Sequence, residues 1–352
     1  MLDASAEKLI ARVNKALGPG TFILASELEI PKHFTTGSLG LDVALGGGWP
    51  ANQWSEVIGP ASSGKTASLF KTIAANQAVN PNFTALWVAA EKYDKNQAAA
   101  LGVDNSRVLL QPHGMEMEVA FQVLLEAAES RGVDFAVLDS YPALIADEED
   151  EKSMSEDTMA KGARLFGRFC RKAGKATRRK YDGSERAFAG VIVNQWRDKI
   201  GGYRPMRTTP GGNAKDYFFW ARVEVARDEW ITEKRPGIED PVVVGQTIKF
   251  LTAKNKSAAP RQVARVDFYS RGAPTLGFKR GEYDVAGEYF TVGKMFRVIH
   301  QSGKWYSYGG ERWDGAKNAV AAIRADEVLR KSLAAEVMEL AANPRALDES
   351  DG

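Results

Sequence analysis

The stretch Gly59-Pro60-Ala61-Ser62-Ser63-Gly64-Lys65-Thr66 constrains this chain more than any other part of it. It fits G-x-x-x-x-G-K-[ST] at every fixed position. It follows an apolar run, Ser55–Ile58, and leads into a helical stretch that starts at Ala67. In that context the glycines let backbone N–H groups curl around phosphates, and the N-terminus of the following helix adds positive potential. Lys65 would reach the β- and γ-phosphates and Thr66 would hold Mg²⁺. Such a turn needs a buried strand before it and a helix after it, which predicts an α/β fold.

The pattern from about 35 to 255 agrees. Ala85–Ala89, Phe135–Leu138 and Gly190–Val193 read as further buried strands, with helical stretches at 64–78, 116–131 and 158–180. Strand–helix alternation predicts a mostly parallel sheet covered on both faces. Residues 221–227 and 247–253 are expected to extend it with antiparallel strands. At 352 residues, 44% hydrophobic and 26% charged, the chain can bury a core and is long enough for about two or three domains. Its longest apolar runs, such as Phe188–Val193, fall far short of a membrane span, and the opening MLDASAEKLIARV has no signal-peptide core. Cys170 is the single cysteine, which excludes a disulfide framework and a cysteine-based zinc cluster. The expectation is a cytoplasmic protein with no membrane partner. A net charge of +2 leaves the question of partners to the distribution of charge.

Residues 1–17 read as a short helix with Asp3 as N-cap, an apolar series at Ala6, Leu9, Ile10, Val13, Ala16 and Leu17, and a stop at Gly18-Pro19-Gly20. The piece is too small for a domain, so it is a flap on the core or an arm that docks on another subunit. The expected boundaries are an arm at 1–34, a core at 35–270, a small α/β C-terminal domain at 271–346 with helices at 316–324 and 326–342, and a short acidic tail at 347–352.

Two acids sit where chemistry on a bound nucleotide would need them. Asp139 ends the run Phe135–Leu138, the place where a phosphate-loop enzyme positions Mg²⁺ or its water. Glu91 follows Ala85–Ala89 on the same sheet edge and is a candidate to orient or deprotonate an attacking water. A basic stripe is hidden by the composition. Lys161, Arg164, Arg168, Arg171, Lys175 and Arg178 recur every three or four residues, with Leu165, Phe166, Phe169, Cys170 and Ala173 opposite. Like charges at that spacing cost ~0.2–0.5 kcal/mol per pair, a penalty that a polyanion removes. The stripe is read as a phosphate-contacting face. The other reading pairs its far end with acids such as the run Asp147-Glu148-Glu149-Asp150-Glu151 of a neighbour. Trp305, Tyr306 and Tyr308 are either a base-stacking platform or the core of a small domain.

Around the phosphate loop the chain resembles the RecA recombinases. Thr36-Gly37-Ser38-Leu39-Gly40-Leu41-Asp42 with Ala44-Leu45-Gly46-Gly47-Gly48 is similar to that family's lead-in. Val193-Asn194-Gln195, Gly211-Gly212-Asn213-Ala214, Lys254-Asn255-Lys256 and Trp305-Tyr306-Ser307-Tyr308 match in order and at similar spacing. The resemblance implies a RecA-like phosphate-loop ATPase core. It also implies a DNA-dependent ATPase that forms helical filaments on single-stranded DNA. Homology search and strand exchange with homologous double-stranded DNA, in recombination and repair, would follow.

Residue by residue, the resemblance makes Gly59 through Ala67 the nucleotide cradle, Glu91 the catalytic glutamate, and Gln195 the sensor of the γ-phosphate. Asp94 would contact adenine. Gln97-Ala98 stand where the family has an adenine-stacking tyrosine, and Tyr93 is the aromatic that could substitute. Lys254 and Lys256 would reach the ATP of a neighbouring subunit, with Pro260 also at the nucleotide. The loop Trp196–Pro210, with Arg197, Lys199, Arg204 and Arg207, would bind DNA. So would Gly211, Gly212 and Asn213. Ile200 and Met159 match residues that wedge between bases, and Arg164 and Arg171 match residues that touch the DNA backbone, with Arg168 extending them.

Overall fold

The computed structural model describes residues 2–18, 20–27, 32–145, 156–177, 186–199, 206–212 and 214–343. They fall into two compact units, Met1–Lys32 and His33–Gly352.

The first unit is built on α1 (Ala4–Leu17). Asp3, extended, accepts the Ala6 N–H at 2.8 Å, and Gly18 closes the helix. Asn14 then ties down the chain beyond the turn. Its side chain accepts from Phe22 N (2.8 Å) and donates to Phe22 O (2.9 Å). No residue of α1 is buried, and Leu9 and Leu17 of the expected apolar series are exposed.

The second unit opens with β1 (His33–Phe34), which pairs antiparallel with β2 (Trp49–Pro50) around α2 (Leu39–Leu45). The main sheet uses β3 (Gln53–Ile58), β4 (Ala85–Ala89), β5 (Val108–Gln111), β6 (Phe135–Asp139) and β7 (Ala189–Asn194). It adds β10 (Ala221–Glu233), β11 (Val242–Lys254), β12 (Val263–Tyr269) and β13 (Glu282–Tyr283) after the short pair β8 (Arg197–Lys199) and β9 (Met206–Thr208). The nine strands run in the order β13-β12-β11-β10-β3-β7-β6-β4-β5. From β10 to β5 every pairing is parallel, and from β10 to β13 every pairing is antiparallel. The expected antiparallel extension is therefore present.

Strands β4, β6 and β7 are buried at every residue, as two covered faces require. The side chains alternate between two cores. Val57, Trp87 and Val137 pack with Leu69, Phe70 and Ile73 of α3 (Lys65–Val79). Trp54, Val88 and Leu138 pack with α5 (Met117–Ser130) and α6 (Glu156–Thr177), through Phe121, Leu124, Phe166 and Phe169. Cys170 lies in this second core, and burial pushes its thiol up to about 12. No helix among the described residues is long and apolar enough to cross a membrane.

The remaining helices are α4 (Lys95–Ala100), α7 (Ala214–Phe218), α8 (Val285–Met295), α9 (Ala316–Ala325) and α10 (Glu327–Ala342). The last three enclose a third core with the sheet of β14 (His300–Ser302), β15 (Trp305–Tyr308) and β16 (Glu311–Asp314). Leu39 and Val43 of α2 belong to that core as well, so the C-terminal elements close over the lead-in to the phosphate loop. Tyr306 and Tyr308 pack against this core, whereas Trp305 lies under Arg312 at 4.5 Å.

Candidate nucleotide and nucleic-acid site

Four parallel strands deliver the chemistry to one edge of the sheet. β3 runs into the loop at 59–64, β4 into Glu91, β6 ends on Asp139 and β7 on Asn194. The carboxyl ends of parallel strands are where open α/β sheets bind ligands.

The loop is shaped by close packing. Gly64 has φ 104°, and a Cβ there would stand 2.5 Å from Ile248 Cδ1. Gln246 supports the loop from β11, donating from Nε2 to Ser62 O at 3.3 Å. α3 then begins with no side-chain cap and no acid in its first turn, which leaves its first N–H groups for an anion. The Ser63 hydroxyl is buried without a hydrogen-bond partner among the described residues. Lys65 Nζ lies within the loop and donates to Gly59 O (3.0 Å) and Pro60 O (2.6 Å). Burial lowers the pKa of this ammonium, against the pull of Asp139 and Glu91.

From Thr66 a line of hydroxyls and carboxylates leads outward. Thr66 Oγ1 donates to Asp139 Oδ2 at 2.7 Å. Burial pushes the Asp139 carboxyl up to about 6, opposed by the Thr66 hydrogen bond and by Lys65 and reinforced by Glu91. The Asp139 carbonyl accepts from Ala90 N (2.9 Å) and Glu91 N (3.0 Å), which fixes the end of β4. Ser140 Oγ donates to Glu91 Oε1 at 2.7 Å, and Glu91 is otherwise exposed. A hydroxyl and a carboxylate are hard oxygen donors, and Mg²⁺ typically takes one or two protein carboxylates beside substrate phosphates. Thr66 and Asp139 fit that demand. The uncapped helix start and the orphaned Ser63 hydroxyl fit the phosphates.

The residues expected near the base and at a neighbour's nucleotide have partners of their own within the chain. Asp94 caps α4, its Oδ1 accepting from Asn96 N (2.9 Å) and Gln97 N (3.0 Å). Tyr93 turns into the core, edge-on to Phe70 and Trp87, and its hydroxyl donates to Asn105 Oδ1 at 2.7 Å. Ala98 is fully buried, a place with no room for a tyrosine, and Gln97 is exposed. Lys254 and Lys256 donate to the carbonyls of Asp216 and Tyr217, and Lys256 also stands over the Trp220 ring at 5.3 Å. Pro260 is exposed between β11 and β12.

Gln195 leaves β7 with its N–H on Asn194 Oδ1 (2.9 Å). Beyond it, β8 and β9 pair antiparallel, Arg197 with Thr208 and Lys199 with Met206, so the segment read as a loop starts and ends as a ladder. Arg197 and Lys199 lie on β8, Arg207 on β9 and Met159 in α6. Ile200, Arg204, Asn213, Arg178, the acidic run at 147–151 and the tail at 347–352 lie outside the described residues.

The basic stripe is present on α6. Arg164, Arg168, Arg171 and Lys175 are exposed, with Phe166, Phe169, Cys170 and Ala173 buried opposite. Arg164, Arg168 and Arg171 surround a cavity of about 450 Å³ closed by Gly211 and Gly212. Gly211 has φ 109°, and a Cβ there would stand 2.7 Å from the Phe166 ring, so the backbone can approach α6 only as glycine. On the other side, Arg168, Lys172 and Lys175 face Glu118, Glu126 and Glu129 of α5 across a groove of about 1010 Å³.

Sequence reasoning passed over Ser140, Gln246 and Glu56. The signal available for Glu56 is a carboxylate inside the strand that runs into the phosphate loop.

Comparison with known proteins agrees with this geometry. The family model described as the RecA N-terminal domain matches residues 4–273. Among curated relatives, Protein RecA of Chlorobaculum parvum is 32% identical over 338 residues, covering 94% of this chain and 90% of the relative. Protein RecA of Sulfurovum sp. is 33% identical over 350 residues, covering 96% and 94%. Protein RecA of Oceanobacillus iheyensis is 32% identical over 326 residues, covering 90% and 86%. With a phosphate loop, a carboxylate line and a basic helix on one RecA-type sheet, the chain belongs to the RecA family of ATP-dependent DNA recombinases.

Proposed function

We propose that this recombinase is a cytoplasmic protein that hydrolyses Mg²⁺-bound ATP at the 59–66 loop and assembles as a helical filament on single-stranded DNA. The filament would then search homologous double-stranded DNA and exchange strands. The observation that carries the reading is the unbroken line Lys65, Thr66, Asp139, Ser140, Glu91 at the edge from which Gln195 enters its loop.

The loop N–H groups and Lys65 bind the phosphates, and Lys65 exchanges its two loop carbonyls for phosphate oxygens. Thr66 and Asp139 would hold Mg²⁺, which supplies charge neutralisation at the β- and γ-phosphates. Glu91, held by Ser140, accepts a proton from the attacking water. Lys254 and Lys256 act on the ATP of an adjoining copy, so charge stabilisation is complete only between docked subunits. Asp94 and Pro260 would border the nucleotide. Gln195 couples the γ-phosphate to the 196–210 segment.

The test is ATP turnover with and without single-stranded DNA. DNA is expected to stimulate it strongly, and equal rates would reject the recombinase reading.

The DNA backbone would lie against Arg164, Arg168, Arg171 and the Gly211–Gly212 turn. Each neutralised phosphate of a single strand contributes about 0.7 to the slope of log K against log salt. Arg168→Glu is therefore expected to flatten that slope by about 0.7 or more. Lys175→Glu is expected to change it less, because Lys175 lines only the groove walled by the α5 acids. DNA titrations across a salt series decide this, and an unchanged slope for Arg168→Glu would take the face off the DNA.

A further inference from the structure

Glu56 is fully buried in β3, three residues before the phosphate loop, and both of its oxygens are engaged by groups from different parts of the chain. Oε1 accepts from Asn194 Nδ2 at 2.8 Å, and Oε2 accepts from Arg222 Nε at 2.7 Å.

Each contact opens onto a different part of the site. Asn194 holds both ends of the segment that Gln195 begins. Its Oδ1 accepts from Gln195 N at 2.9 Å, and its Nδ2 also donates to Pro210 O at 3.2 Å. Arg222 reaches on to Asp216, Nη2 to Oδ1 at 2.8 Å, and the Asp216 carbonyl accepts from Lys254 Nζ. Lys215, also buried, donates to the carbonyls of Thr209 and Pro210, and the Glu56 charge favours its ammonium against burial.

One carboxylate thus sits where two lines meet. One line runs to the base of the 195–210 segment, and the other to the lysine assigned to a neighbour's nucleotide. A buried carboxylate cannot release its cationic or its polar partner without its own charge being left under-compensated, so it leans more heavily on the partner that remains. A shift of Lys254 on the nucleotide side therefore alters the bond that positions Asn194, and the reverse holds by reciprocity.

We propose that Glu56 is a positioning residue that couples the Lys254 side of the ATP site to the 195–210 segment. DNA bound at that segment and nucleotide bound between subunits then influence each other through Asn194–Glu56–Arg222–Asp216. Glu56 touches neither ligand. The inference rests on the recombinase reading above.

The experiment measures ATP turnover by the full chain with and without single-stranded DNA for wild type, Glu56→Gln and Arg222→Lys. Glutamine keeps the volume and one acceptor but removes the charge shared by Asn194 and Arg222. Lysine keeps the charge but cannot bridge Glu56 and Asp216 together. Both variants are expected to retain DNA-free turnover, while DNA stimulation falls by about five- to 150-fold, the range of allosteric coupling, with Arg222→Lys at the lower end. The apparent affinity for DNA should then no longer depend on whether ATP is present.

Wild-type stimulation preserved in folded Glu56→Gln would overturn the proposal. Equal loss of DNA-free and DNA-stimulated turnover in both variants would also overturn it, since that is the mark of a purely structural role. Wild type that shows no stimulation at all would reject the recombinase reading, a different outcome from either.

Discussion

Replacing Glu91 by glutamine is expected to lower ATP hydrolysis by about 10²–10⁴-fold while leaving ATP binding in place. The side chain is exposed just beyond β4, and among the described residues it is held by the bond it accepts from Ser140 Oγ. Its backbone is fixed independently, through the Asp139 carbonyl. Glutamine therefore keeps the shape and the Ser140 contact but cannot take a proton from water. None of the donors of the 59–66 loop is altered. Single-turnover hydrolysis and an equilibrium nucleotide titration separate the two effects. Ser140→Ala should show a weaker form of the same defect, since the carboxylate survives but loses its orienting donor. A Glu91→Gln protein that hydrolyses ATP at the wild-type rate would remove Glu91 from the chemistry. Loss of binding together with hydrolysis would make it a structural residue.

The second large effect concerns stability. Glu288 of α8 is buried, and its Oε1 accepts from the Ser38 hydroxyl and from Gly40 N (3.0 Å), while Oε2 has no hydrogen-bond partner among the described residues. Burial pushes its carboxyl from the ordinary 4.5 up to about 7, with the bonds from Ser38 and Gly40 opposing and Asp42 adding to the rise. Asp42, itself buried, is pushed up to about 6 from 3.8. The folded values are raised, so between about pH 4 and 7 the native state holds protons that the unfolded chain has released. Stability therefore falls as pH rises through that window. The cost is absent below it and fully present above it. For Glu288 alone it is about 3 kcal/mol. Glu288→Gln keeps an acceptor for Ser38 and Gly40 and cannot ionise. It should be more stable than wild type at pH 8, with a much shallower decline from pH 5. Denaturant titrations at the two pH values check this, and parallel pH profiles for the two proteins would contradict it.

Much of this site is legible along the chain because its residues are local to motifs. Lys65 and Thr66 follow from eight consecutive residues, Asp139 and Glu91 from their places after apolar runs, and the α6 stripe from helical spacing. The buried network is not legible in that way. Glu56 meets Asn194 and Arg222, which lie 138 and 166 residues further on, so its role exists only once β3, β7 and β10 are side by side.

Other elements hide for a different reason. α8 carries Gly287 and Gly293 inside it, which weakens its helical signal along the chain, yet Asp284 caps it and the third core holds it in place. Tyr93 and Ala98 show the limit of carrying a role across by position. Packing against Phe70 and Trp87 decides where the tyrosine goes, and burial decides what fits at 98.

Leu39 and Val43 lie in the same apolar cluster as Phe290, Ile323 and Leu333. A break in the chain near residue 270 would therefore strip cover from the helix that precedes the phosphate loop, and would leave the Ser38 hydroxyl without its acceptor. In modular engineering, a graft of the C-terminal elements onto another recombinase would have to take residues 35–45 with them. The same seam predicts how these proteins diverge. Changes in α2 and α8 should be inherited together even where the sheet between them varies freely.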